Sequence, residues 1–135
     1  INIPPYEADY KIKIARKINK TMSLVLVGSH MHFRGKASSI MVVSPNGHRK
    51  RIFGLDPFTK TFERLYVFKK PYVVFKGSTI ECNNWFDNSA KNPANPAPEK
   101  HVTFGNGFED EMSMCFFQWL VPAGQGVKHN IFYQN

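Results

Sequence analysis

Met22-Ser-Leu-Val-Leu-Val27, running into Gly28-Ser-His-Met-His-Phe-Arg-Gly35, decides how the rest of the chain is read. The Leu and β-branched content of the first six residues suits a buried strand, which places His30 and His32 at or near its end. Side chains two apart in a strand point to the same face, with Cα atoms roughly 6.5–7 Å apart. Two imidazoles so spaced can converge on one metal ion. A His-x-His pair alone is equally well two ordinary surface or core histidines.

Strand and turn patterns continue on both sides. Tyr10-Lys-Ile-Lys-Ile-Ala15 alternates polar and apolar residues like a half-buried strand, and Ile18 to Thr21 forms the turn out of it. Asn19-Lys-Thr21 fits the N-glycosylation pattern, which matters only in a secreted eukaryotic chain. Ser39-Ile-Met-Val-Val43 has strand composition, Ser44-Pro-Asn-Gly47 has turn chemistry, and Arg49 to Phe53 can return as the hairpin partner. Asp56-Pro57 breaks the pattern. Thr61 to Phe68 and Tyr72 to Phe75 read as two further strands, and Lys76-Gly77 turns into Ser78-Thr-Ile-Glu-Cys82. No helical period is sustained, and turn signals recur every 8–12 residues or so, which predicts an all-β chain, an antiparallel β-sandwich or jelly roll.

Asn88 to Pro98 is Asn-, Ala- and Pro-rich and cannot be a central strand, because proline removes a ladder donor and restricts the residue before it. We expect Asx-type hydrogen bonds to order this loop near the histidines, with Asp87 and Asn88 holding its shape. Further on, Gly107-Phe-Glu-Asp-Glu-Met-Ser-Met-Cys-Phe-Phe117 takes an acidic cluster into an apolar segment. Glu109, Asp110 and Glu111 alternate direction if extended and cannot all meet one ion, so they read as hydrogen-bond partners around a site or as a solvated strand entrance. Met112 and Met114 are either core residues or soft thioether ligands; two imidazoles with one thioether suit copper, Cu(I) above all. His48 reads as exposed and His101 and His129 as structural or exposed, whereas Trp85, Trp119 and the Phe-rich strands read as core.

A chain of 135 residues, 42% hydrophobic and 14% aromatic, fits one folded domain spanning 1–135 rather than a disordered segment. It has no apolar run long enough to span a membrane and no signal-peptide pattern at Ile1, and its start without Met suggests a processed chain or a piece of a longer one or of a complex. Net charge is +8, but the basic residues are dispersed and no nucleic-acid-binding signature accompanies them, so solvated faces or an acidic partner explain them better than nucleic acid. Two cysteines, Cys82 and Cys115, allow one internal bridge; sequence alone leaves a bridge, a thiol pair and two buried free cysteines all open.

In order and separation, His30 to Gly35, Phe86 to Pro98 and Glu109 to Met112 resemble the C-terminal copper domain of the copper type II ascorbate-dependent monooxygenase family, which includes the peptidylglycine α-hydroxylating and dopamine β-monooxygenases. The resemblance runs from about Ile3 to about Pro122. It implies an eight- or nine-stranded antiparallel sandwich. It also implies His30, His32 and Met112 as the ligands of a copper that activates dioxygen to hydroxylate a C–H bond, with no catalytic residue beyond them. Ascorbate or another external reductant would supply electrons. A second copper-bearing domain or subunit, with three histidine ligands that this chain lacks, would be the partner.

In animal members of the family the cysteine at the position of Cys82 pairs with one directly after the methionine ligand, where this chain has Ser113. The arginine and tyrosine that clamp a peptide carboxylate correspond here to Gly28 and Phe116, which implies a small-molecule or other substrate in place of a glycine-extended peptide. Copper chemistry and the cysteines imply an extracytoplasmic location. The alternative is a non-catalytic copper-binding or structural subunit of a larger extracytoplasmic assembly.

Overall fold

The computed structural model describes residues 1–120 and the backbone of 128–133. Its strands are β1 (Asn2–Ile3), β2 (Tyr10–Lys17), β3 (Met22–His30), β4 (Gly35–Val43), β5 (Arg49–Leu55), β6 (Tyr66–Val74), β7 (Thr79–Phe86), β8 (Val102–Thr103), β9 (Met114–Trp119) and β10 (Lys128–Tyr133). The described residues contain no α-helix, only a single 3-10 turn at Lys60–Phe62, so none is long and apolar enough to cross a membrane. The all-β expectation holds.

Two four-stranded antiparallel sheets, ordered β10-β9-β3-β6 and β2-β7-β4-β5, are joined by a small β1-β8 pairing. Only β4-β5 and β9-β10 are sequential hairpins; elsewhere the chain passes from one sheet to the other. Alternation makes this work. Ile12 and Ile14 of β2 are buried between exposed lysines, and Leu24, Val27, Ile40, Val42, Ile80 and Phe117 join them in one cluster fed by both sheets. Burying an aliphatic or aromatic side chain of this kind contributes about 1.5–3 kcal/mol. Cys82 of β7 and Cys115 of β9, both fully buried, form a disulfide with Cα atoms 6.1 Å apart. The bridge therefore spans the two sheets instead of joining paired neighbours within one. Facing sheets normally stand roughly 10 Å apart, so they come close together here.

Several sequence expectations need correction. Thr61–Phe68 and Tyr72–Phe75 are not two strands: the first segment opens with the 3-10 turn, and one strand, β6, runs from Tyr66 through Pro71 to Val74. Pro71 is tolerated because β6 is a sheet edge, and the pairing of β3 with β6 jumps register between Leu24 and Leu26. Trp85 is not core; it is half-buried on the outer face of its sheet with the Lys11 ammonium 4.7 Å from its ring centroid. Phe62, Phe75 and Phe108 are likewise exposed, whereas Trp119 is buried as expected. His48 is exposed, as is His101, which contacts the Asn2 carboxamide; the surroundings of the His129 side chain fall outside the described residues.

Candidate metal centre

β3 ends at His30, whose register partner on β9 is Met114. Ser29 and Met31 point into the core, so His30 and His32 emerge half-buried on the other side, with ring centroids 5.1 Å apart and nearly perpendicular. A tight turn follows, the Gly35 N–H donating to the His32 carbonyl at 3.3 Å. Gly35 is required by close approach: a Cβ there would lie 2.8 Å from both the Met31 Cβ and a Phe58 ring carbon.

Each imidazole has a partner on Nδ1. For His30 it is the Glu63 carboxylate, and for His32 it is the Asp110 carbonyl at 2.9 Å. A neutral ring that donates through Nδ1 carries its lone pair on Nε2, the arrangement metal-binding histidines usually show. Burial lowers the pKa of His32, with the Asp110 carbonyl opposing that effect and His30 reinforcing it, so the neutral, ligating form is favoured.

Glu111 ties the histidine turn to the methionine segment. It is fully buried, and its Oε2 accepts the His32 N–H at 2.7 Å and the Met112 N–H at 3.3 Å, while Oε1 accepts the Arg34 N–H at 2.7 Å. Burial pushes its pKa up to about 7, against the pull of those three N–H groups and the Arg34 guanidinium. Met112 itself is half-buried and lies just before β9, which begins at Met114.

Arg34 is also fully buried. Its Nε donates to the Asn88 Oδ1 at 2.7 Å, Nη1 to the Glu109 carbonyl at 2.9 Å and Nη2 to the Ala97 carbonyl at 3.4 Å. Asn88 in turn donates to the carbonyls of Pro4 and Lys100 and accepts from Asn95 at 3.0 Å. The expected Asx pattern is present: the backbone N–H groups of Ser89, Ala94 and Ala97 each bond the side chain two residues earlier, Asp87, Asn92 and Asn95 respectively. Asn92 also reaches the Phe33 carbonyl at 3.3 Å, placing the loop against the histidine turn.

The acidic triplet divides three ways. Glu109 pairs with Lys100 at the surface, the Asp110 carboxylate accepts the Gly107 N–H at 3.0 Å, and Glu111 is interior.

Thus His30 and His32 are in ring contact, and Met112 is bound to the same carboxylate oxygen as the His32 backbone. Sequence reasoning missed Glu63, which reaches His30 because the segment after the 3-10 turn lies across β3 at Gly28. A Cβ on Gly28 would stand 3.0 Å from Leu65 Cδ2 and 3.2 Å from the Arg64 carbonyl. No local motif announces such a contact across 33 residues. Among the described residues no three His, Cys, Asp or Glu side chains gather as a metal group. No protein-family model matches the chain, and no curated protein matches it.

Proposed function

We propose that the chain is a copper-binding domain of a monooxygenase, with His30, His32 and Met112 holding the metal. The observation that carries this reading is the pair of occupied Nδ1 atoms, on Glu63 and on the Asp110 carbonyl, which directs Nε2 of each neighbouring ring to a ligand. The residues fit copper in kind: two imidazoles, no group of three His, Cys, Asp or Glu side chains among the described residues, and a thioether on the adjoining segment. A bound copper would supply dioxygen activation for hydroxylating a C–H bond. Ascorbate or another reductant would feed it through a second copper-bearing domain or subunit.

The chain's own share is positional. Glu63 and the Asp110 carbonyl fix the ring tautomers, and Glu111 holds the histidine turn and the methionine segment at one spacing. The resemblance also supports reading the two sheets as a sandwich of jelly-roll type. Leu65 and the Arg64 backbone pack where a side chain at Gly28 would project, which supports a substrate other than a peptide held by its carboxylate. A disulfide between the sheets agrees with an extracytoplasmic location.

Copper titration with X-ray absorption on the reduced protein tests the assignment. One copper per chain is expected, with most of the affinity lost in His30→Ala and in His32→Ala. Met112→Ile should lose the copper–sulfur signal and Met114→Ile should keep it. The second comparison is demanding, because Met114 lies directly across from His30 in the sheet register. Loss of sulfur in Met114→Ile alone would transfer the role to Met114. A chain that binds no copper would leave only the structural-subunit reading.

A further inference from the structure

We infer that the outer face of the β2-β7-β4-β5 sheet is a docking surface for an acidic polysaccharide, independently of any metal on the other sheet. Five strand cations stand on this face, Lys11, Lys13 and Lys17 of β2 and Arg49 and Arg51 of β5, around a single strand acid, Glu81; Lys50 turns the other way, its ammonium 5.3 Å from the Tyr72 ring centroid. The strands of the opposite sheet carry only three basic residues, counting both faces. Register puts Lys11 beside Trp85, Lys13 beside Asn83 and Lys17 beside Thr79 on the outward side, with Arg49 and Arg51 across the sheet on β5. Cations two residues apart on a strand repeat at roughly 7 Å.

Two features separate this face from a diffuse basic surface. Glu81, buried beneath it, bonds Lys13 at 2.6 Å and also Arg49, so these two cations are held in place before any ligand arrives. Less ordering cost then remains to be met on binding. Beside them the small residues Ala37, Ser39 and Gly54 leave a groove of about 610 Å³, walled by Trp85, Lys36 and Arg51. That volume lies within the range of small-ligand sites.

The groove chemistry is mixed. Asp9, which pairs with Lys36 at 2.7 Å, and Asp56 add carboxylates that accept the hydroxyls of a sugar, while the cations of the strand face meet its anionic groups. Lys36, Arg51 and the indole offer donors and a ring surface. A DNA duplex is served less well, because its backbone presents no free sugar hydroxyls to these carboxylates.

The test is titration of the intact chain with heparin oligosaccharides and, separately, oligogalacturonate, in roughly physiological salt of about 0.15 M. The two glycans distinguish a sulfate from a uronate requirement. Lys17→Glu/Arg51→Glu, at exposed positions, should weaken binding roughly tenfold or more, since surface contacts to a polyanion depend on each cation. The same charge change on the other sheet, Lys69→Glu/Lys70→Glu, should leave binding nearly unchanged. Ser39→Phe, which fills the groove without altering charge, should also weaken it. Circular dichroism confirms folding of each variant. The proposal is overturned if neither glycan binds, if the Lys69/Lys70 reversal costs as much, or if a DNA duplex binds as tightly as the better glycan.

Discussion

Glu81 and Glu111 are both buried carboxylates, 5% and 0% exposed, yet the molecule treats them in opposite ways. Burial pushes Glu81 up as well, but Lys13 and Arg49 bond it from half-exposed positions and bring its pKa below the ordinary carboxylate value. Glu111 meets backbone N–H groups and a distant guanidinium, and its pKa stays raised. The first carboxylate is neutralised by side chains reaching it from the surface; the second is held by the backbone around it. Glu81 organises a surface, whereas Glu111 organises the chain path around the histidines.

Glu111→Ala should give the largest effect. It strands the N–H groups of His32, Arg34 and Met112 and leaves the Arg34 guanidinium without its nearest buried counter-charge, a loss on the order of 3–5 kcal/mol in urea denaturation. Asn88→Ala should follow at about 1–3 kcal/mol, because it removes the acceptor of Arg34 Nε and the donor to two loop carbonyls.

The pH dependence of the metal-free chain, measured with chelator present, separates the two carboxylates by sign. Because the folded-state pKa of Glu111 is raised to about 7, its stabilising contribution is complete below the unfolded value near 4.5 and declines as pH rises towards 7. His32, with its depressed pKa, acts in the other direction just below 6.5. The comparison is therefore the change in slope between the parent chain and Glu111→Gln. Glu81 contributes stability above the unfolded carboxylate value and loses it as pH falls through its lowered folded pKa, so Glu81→Gln should flatten only the acid limb. The smallest effect belongs to Glu81→Ala, about 1 kcal/mol or less, since Lys13 and Arg49 can turn to water. Equal losses in Glu81→Ala and Glu111→Ala would break the contrast.

The strands were legible wherever one face alternated. Tyr10 to Ala15 and the Ser44 to Gly47 turn could be read directly, and the histidine pair stood at a strand end as its neighbours predicted. The single strand β6 was not legible, because only its tertiary position at a sheet edge makes Pro71 acceptable within it. Trp85 misled because β7 is buried on nearly every residue, so its sequence does not announce which face is outward. Within Glu109-Asp-Glu111 nothing local distinguishes the interior carboxylate from the two at the surface. Arg34 looks like a surface cation until Asn88 and the carbonyls of Ala97 and Glu109 close over it, and Glu63 becomes visible only once Gly28 lets a distant segment cross.

The disulfide also has a topological consequence. Cys82 and Cys115 enclose residues 83–114, a ring of chain that contains Asn88, the proline-rich loop, Glu111 and Met112. A protease that nicks this ring at one peptide bond produces two polypeptides that remain one covalent particle. Cleavage there would leave the migration of the oxidised protein on a denaturing gel nearly unchanged, and two fragments would separate only after reduction. A nick before Met112 would send the candidate methionine ligand with the C-terminal fragment and leave both histidines with the other.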